Sequence, residues 1–331
     1  MRVLAFLVYL PIQIVLLPLL IVAALVFSYY QIVVSRRIGV SQTGIEVMGG
    51  RVHMHLFGLR QDEATLALSR VLPNFSLRLT RFMLWPQAVH YWIAGRSILY
   101  PTVVAPGKET LGQMITARTS FLDEILESSV PEMRQVVFLG AGYDTRAYGP
   151  MRREEVRFFE VDLPVTQALK IASLDQAGLA RDHVTFVTTD FQSDNLFEQL
   201  AAAGYDPQEP TLFLWEGVTL YLAESDVRRT LADIRAHAGA GSVIACDFYS
   251  DRMVQLGKKG PAKELLKATD ENLGFSLPFA EDWESVLEQF LAGEGWHCAT
   301  SHFLGSDSPK GPFMVVAELH TVPADSLSGE S

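Results

Sequence analysis

From Gln135 onward, short apolar runs alternate with stretches of helical periodicity, and this alternation constrains the fold more than any other feature. The runs cover 135–139, 156–161, 184–188, 212–215 and 243–248. Helical patterns fill the gaps at 164–177, 195–203 and 224–238, and another at 112–129 precedes the first run. Strands that alternate with helices require a mostly parallel sheet, because each crossover lays a helix over one face. The final runs, 296–303 and 313–319, flank a Gly/Ser/Pro-rich turn and read as an antiparallel edge hairpin. The expected class is α/β and Rossmann-like. In such sheets ligands bind beyond the carboxyl ends of the strands. The residues that follow each strand are therefore the ones to read for chemistry.

The other end of the chain is of a different kind. Residues 3–34 carry no charged side chain. A bilayer crossing takes about 20 apolar residues as helix, and this run is longer. A cleaved signal peptide has a shorter apolar core and a small-residue cleavage site. Phe27-Ser28-Tyr29-Tyr30 does not supply one, so a retained transmembrane helix is expected. Arg36 and Arg37 follow the run, whereas only Arg2 precedes it. The positive-inside rule then puts the body on the cytoplasmic side of a single-pass membrane protein, with Tyr29 and Tyr30 at that interface. A second apolar region at 75–100 reads as an amphipathic helix broken at Pro86, lying on lipid or covering a site. The expected divisions are an anchor (1–35), a helical cap (36–111), a catalytic domain (112–322) and a disordered tail (323–331).

Composition removes several function classes. With 27 Lys+Arg against 38 Asp+Glu, the net charge of -11 argues against nucleic acid as a partner. Cys246 and Cys298 are the only cysteines, too few for a disulfide framework or a four-cysteine zinc site. His53 and His55 alternate as on a strand, but no third ligand has suitable spacing, and no metal is expected. His297 and His302 read as surface residues of an edge strand, Cys246 as a buried filler, and Lys258-Lys259 as a solvated loop.

The strand ends carry the chemistry. The first runs into Gly140-Ala141-Gly142-Tyr143-Asp144-Thr145-Arg146, where glycines allow a tight turn and close approach to a ligand. Thr145 stands where a dinucleotide fingerprint has its third glycine, and no GK[ST] follows for a P-loop. The second strand ends at Glu160-Val161-Asp162, with Asp162 twenty residues after Gly142, where a carboxylate takes ribose hydroxyls. Alternation puts Glu160 on the same side. Asp190-Phe191 ends the third strand, an acid and a ring suited to adenine. Glu216, followed by Gly217 and near Tyr221, ends the fourth and suits a cation. Each has an ordinary structural reading as a turn or cap, but together they describe a nucleoside site. A nicotinamide cofactor and S-adenosylmethionine are the candidates.

VVFLGAGYDTRAY, FFEVDLP, TTDF and LFLWEGVTLYL, in this order, resemble the leucine carboxyl methyltransferase family, and more narrowly its bacterial S-adenosylmethionine-dependent branch. ARTSFLDEIL at 117–126 is similar to the segment that precedes the family's first strand. The resemblance covers about 112–248. It implies a class I methyltransferase fold with seven strands, and S-adenosyl-L-methionine as cofactor. It implies that Arg118 pairs with the methionine carboxylate above a floor of Gly140, Ala141 and Gly142. Asp162 takes the ribose, with Glu160 as neighbour; Asp190 and Phe191 take the adenine; Glu216 lies near the ammonium or sulfonium. Asp144, Thr145 and Arg146 fix the loop. The first hundred residues depart from the family pattern, so the acceptor does not carry over. A small or lipophilic acceptor met at the membrane is the expectation, methylated on a carboxylate or hydroxyl oxygen. A carboxylate needs no base, while a hydroxyl needs one, for which Tyr221 and His90 are candidates. A catalytically silent membrane scaffold and a nicotinamide-dependent oxidoreductase are the alternatives.

Overall fold

The computed structural model describes residues 1–102, 104–149, 151–259, 266, 272–305 and 313–321. Helix α1 (Arg2–Tyr29) passes through a wide turn at Tyr30–Val34 into α2 (Ser35–Ile38), making one 37-residue rod. It is the one helix among the described residues that is long and apolar enough to cross a membrane. Gly39, at φ +71°, ends it. Ser41 then caps α3 (Gln42–Leu56) by accepting from the Gly44 amide. The cap continues through α4 (Glu63–Ser69) and α5 (Leu77–Ala94), and α6 (Met114–Ser129) leads into the sheet.

Two expectations change here. His53 and His55 lie on α3, a helix, because Ser41 starts a cap that the local apolar spacing alone does not announce. Pro86 does not break α5, which runs unbroken from Ser76 as cap to Gly95. The proline removes one backbone hydrogen bond, and Pro86 is itself buried, as are the neighbouring Gln87 and His90.

Seven strands form one sheet in the order β3-β2-β1-β4-β5-β7-β6. They are β1 (Gln135–Leu139), β2 (Arg157–Asp162), β3 (Val184–Thr188), β4 (Thr211–Trp215), β5 (Val243–Tyr249), β6 (Trp296–Leu304) and β7 (Met314–Thr321). β1 to β5 pair in parallel, and β7 runs antiparallel to both β5 and β6. This is the class I methyltransferase topology. β1 and β4 are buried along their whole length, as central strands covered on both faces are. Among the described residues the domain also carries helices α7 (Pro164–Ala177), α8 (Leu196–Ala202), α9 (Glu224–His237), α10 (Asp251–Gly257) and α11 (Trp283–Gly293). One apolar core fills each face of the sheet. A third joins the cap to the domain, where Ile45, Met48 and Val52 of α3 meet Phe75, Tyr143 and Leu174. The turn 306–312 and the tail 323–331 lie outside the described residues.

Candidate functional site

Strand order reverses between β1 and β4, because their crossovers run in opposite directions, and the crevice at their carboxyl ends is where doubly wound sheets hold ligands. A cavity of about 430 Å³ lies there, within the usual range for small-molecule sites. Gly140, Ala141, Gly142, Asp162, Asp190, Phe191 and Glu216 all line it, and so does Arg118.

The floor is built on glycine for two reasons. Gly140 has φ +69°, a left-handed conformation costly for other residues. A Cβ there would sit 2.5 Å from Val218 Cγ2. The Gly142 amide donates to Asp162 Oδ2 at 2.5 Å, and the Leu163 amide donates to Oδ1 at 2.7 Å. These bonds aim the carboxylate along the cavity wall, and each oxygen keeps a second lone pair for a ligand. Burial raises the Asp162 carboxyl above its ordinary value, against the pull of the two amides. Asp190 accepts from the Gln192 amide, and Phe191 packs on Trp215 with ring centres 6.4 Å apart.

Glu216 is the hub of a buried ion cluster. Its Oε2 accepts from Arg51 Nη2 and from Arg146 Nη1, both at 2.7 Å, and its Oε1 accepts from Arg118 Nε at 3.1 Å. Burial alone would raise this carboxyl; Arg51, Arg146 and Arg118 overcome it and hold it at about 2. Arg146 also donates to Asp144 Oδ2 at 2.5 Å and to Asp123 Oδ1 at 2.7 Å. Arg51 reaches Asp144 at 3.1 Å. Burial opposes ionisation of Asp144, but the two arginines hold it well below the usual carboxylate range. Arg118 Nη1 donates to Asp247 Oδ2 at 3.1 Å and to the Tyr249 hydroxyl at 2.6 Å. Asp247 in turn accepts from the Gly217 amide at 2.9 Å, and burial pushes its carboxyl up to about 6. Thr145 Oγ1 bonds Asp62 and Thr65, tying the glycine loop to the cap.

Two expected positions fall elsewhere. Glu160 does not line the cavity; it is buried beneath it, with Oε2 2.6 Å from Lys170 Nζ of α7. It does share a strand face with Asp162, but the cavity lies beyond the strand end, so only the last residue reaches it. His90 lies on α5 against Tyr9, with ring centres 6.1 Å apart, and is absent from the cavity wall, whereas Tyr221 is part of it. Among the described residues no cluster of three or more His, Cys, Asp or Glu suits a metal. Cys246 is fully buried, as expected of a filler.

The residues missed by sequence reasoning come mostly from the cap. Gly44, Val47, Met48 and Arg51 of α3 close one side of the cavity, and Asn272 adds to the rim. Arg51 is 165 residues from Glu216, so no spacing joins them. Asp247 did carry a signal, being a carboxylate inside an otherwise apolar strand.

Fold and cavity together define a class I methyltransferase-like domain with a nucleoside-sized site. Over residues 99–235 the chain matches the leucine carboxyl methyltransferase family model. A Streptomyces avermitilis protein is 36% identical over 201 residues, covering 59% of this chain and 66% of its own. A Frankia alni protein is 39% identical over 188 residues, covering 56% and 62%. Both bear the name "Putative S-adenosyl-L-methionine-dependent methyltransferase". The chain thus spans just under two thirds of the length of the curated relatives it matches. Among solved structures, an O-methyltransferase family protein from Burkholderia thailandensis aligns at 13% identity and a TM-score of 0.45, covering 64% of this chain and 58% of its own.

Proposed function

We propose that this chain is an S-adenosyl-L-methionine-dependent methyltransferase acting on an oxygen of a small or lipophilic acceptor at a membrane. The observation that carries the reading is the cavity whose wall takes one feature from each of four successive strand ends: the Gly140–Gly142 floor, Asp162, Asp190 with Phe191, and Glu216. In this reading Asp162 holds the ribose hydroxyls on its remaining lone pairs, and Phe191 and Asp190 hold the adenine. Arg118 takes the methionine carboxylate. Glu216 sets the positions of Arg118 and Arg51 and supplies negative charge beside the ammonium. S-adenosylmethionine, when bound, supplies an activated methyl group, so this chain's task is to orient the acceptor and exclude water. Met48 and Val47 of α3 give that wall an apolar surface.

A carboxylate acceptor needs no base. For a hydroxyl acceptor Tyr221 is the group on the wall, and His90, packed on Tyr9, is out of reach. The apolar rod α1–α2 supports a membrane location, and Arg36 and Arg37 beyond it suit the anionic headgroups of a cytoplasmic leaflet. The engagement of Glu216 by three arginines favours one other reading, a silent scaffold in which the cluster is purely structural. Incubating the full chain with methyl-tritiated S-adenosylmethionine and a total bacterial extract separates the two. The proposal expects label in the organic phase, released by base as methanol from a carboxylate acceptor and retained as a base-stable ether on a hydroxyl acceptor. Label absent from every fraction overturns it in favour of the scaffold.

A further inference from the structure

Helix α1 does not stand clear of the body. Tyr9 meets His90 of α5 at 6.1 Å, and Phe27 meets Phe75, just ahead of α5, at 5.4 Å. The small residues Ala5 and Ala23 are buried in this contact, at 0% and 5% exposure. Helix α5 is itself seated on the body at both ends. Tyr91 packs on Phe57 at 5.4 Å, and Phe75 lies 3.2 Å from where a Cβ of Gly49 would stand. So α5 lies between α1 and the rest of the chain.

That order of layers bears on how α1 meets lipid. Tyr9 and Phe27 are about 27 Å apart along a helix at 1.5 Å per residue, close to the ~30 Å of a hydrocarbon core. If α1 crossed upright, its contacts would carry Tyr91 and Phe57 to the depth of Tyr9, on the far side of the bilayer, and drag α5 and the end of α3 through hydrocarbon. Lying flat, α1 leaves every one of these contacts intact. Its face away from α5 is apolar and open, with Leu7, Ile14 and Leu25 exposed by 61%, 60% and 68%. Interfacial helices have a polar side turned from lipid; α1 lacks one, and α5 covers that side instead. Trp92 of α5 is 71% exposed, and tryptophan favours the headgroup level. Arg2, Arg36 and Arg37 bracket the apolar run, matching anionic headgroups.

We propose that α1 lies in the plane of one leaflet, so that α1 and α5 form a monotopic anchor and the amino terminus stays on the same side as the body. This replaces the single-pass crossing expected from the sequence. It rests on the reading that α1 meets lipid, and flotation tests that separately.

The test uses the full chain in a Cys298→Ser background, since Cys246 is buried. Val3→Cys, at a position 74% exposed, is added to preformed phosphatidylcholine–phosphatidylglycerol vesicles, with the body outside. A membrane-impermeant maleimide supplied outside is expected to label it equally before and after lysis. Labelling only after lysis means a crossing helix and overturns the proposal. A fluorophore on Ile14→Cys is expected to be quenched more by nitroxides near the lipid carbonyls than by those deep in the chains; the reverse order overturns it too. Protein that fails to float with the vesicles overturns the membrane reading itself, and the in-plane mode with it.

Discussion

The two walls of the cavity are built on different rules. The sheet wall takes its residues from strand ends in sequence order, each delivered by a parallel strand of the same sheet. The cap wall takes Val47, Met48 and Arg51 from one helix that reaches the site only because a third core packs α3 on Tyr143 and Leu174. The sheet wall presents backbone amides and carboxylates that a nucleoside can use. The cap wall presents apolar surface and one arginine whose Nη atoms bond Glu216 and Asp144. In the proposed reading, cofactor recognition falls to the sheet and closure and acceptor choice fall to the cap, and the ion cluster joins the two walls.

The joint is the first place to break this contrast. Arg146 is fully buried and holds Asp123, Asp144 and Glu216. Arg146→Ala is expected to cost about 3–5 kcal/mol in urea unfolding, since it leaves buried carboxylates uncompensated. The second largest effect lies beneath the sheet wall. Burial pushes the Glu160 carboxyl up to about 7 from an ordinary 4.5, despite Lys170. The folded chain then holds this proton more tightly than the unfolded chain does. Its contribution is complete below pH 4.5 and is lost as pH rises through 7, by about 3 kcal/mol. Unfolding titrations of Glu160→Gln should lack that slope.

Smaller effects sharpen the division of labour. Asp162→Ala removes a carboxylate from the sheet wall and is expected to weaken S-adenosylmethionine binding by about 1.5–3 kcal/mol, the worth of a charged hydrogen bond. Calorimetry reads this directly. Gly140→Ala forces a side chain into a φ of +69° and against Val218. It should lower stability by about 1–3 kcal/mol and affinity with it, read by thermal shift with and without cofactor. Arg181→Ala breaks an exposed pair with Asp175, far from both walls, and thermal unfolding should not register it.

The sheet wall was legible because its signals are local. A strand of five or six residues, a glycine turn and an acid at the strand end fit in a window that periodicity can read, and β1 to β5 fall within a residue or two of the expected runs. Glu160 misled because alternation fixes the strand face and says nothing of where the strand stops. The cap was not legible for the opposite reason. Arg51 becomes part of the site through a contact across 165 residues, and the alternation of His53 and His55 suggests a strand where a Ser41 cap in fact starts a helix. The apolar run announced a long apolar helix but not its partner, since α5 reads alone as an interrupted amphipathic segment.

Calorimetric titration of S-adenosylmethionine into the full chain in mild detergent, with NADH as control, tests the central claim most directly. The account predicts that S-adenosylmethionine binds, that NADH does not, and that Asp162→Ala weakens the binding while the chain stays folded. Folded protein that binds neither ligand, or that binds NADH instead, would contradict it.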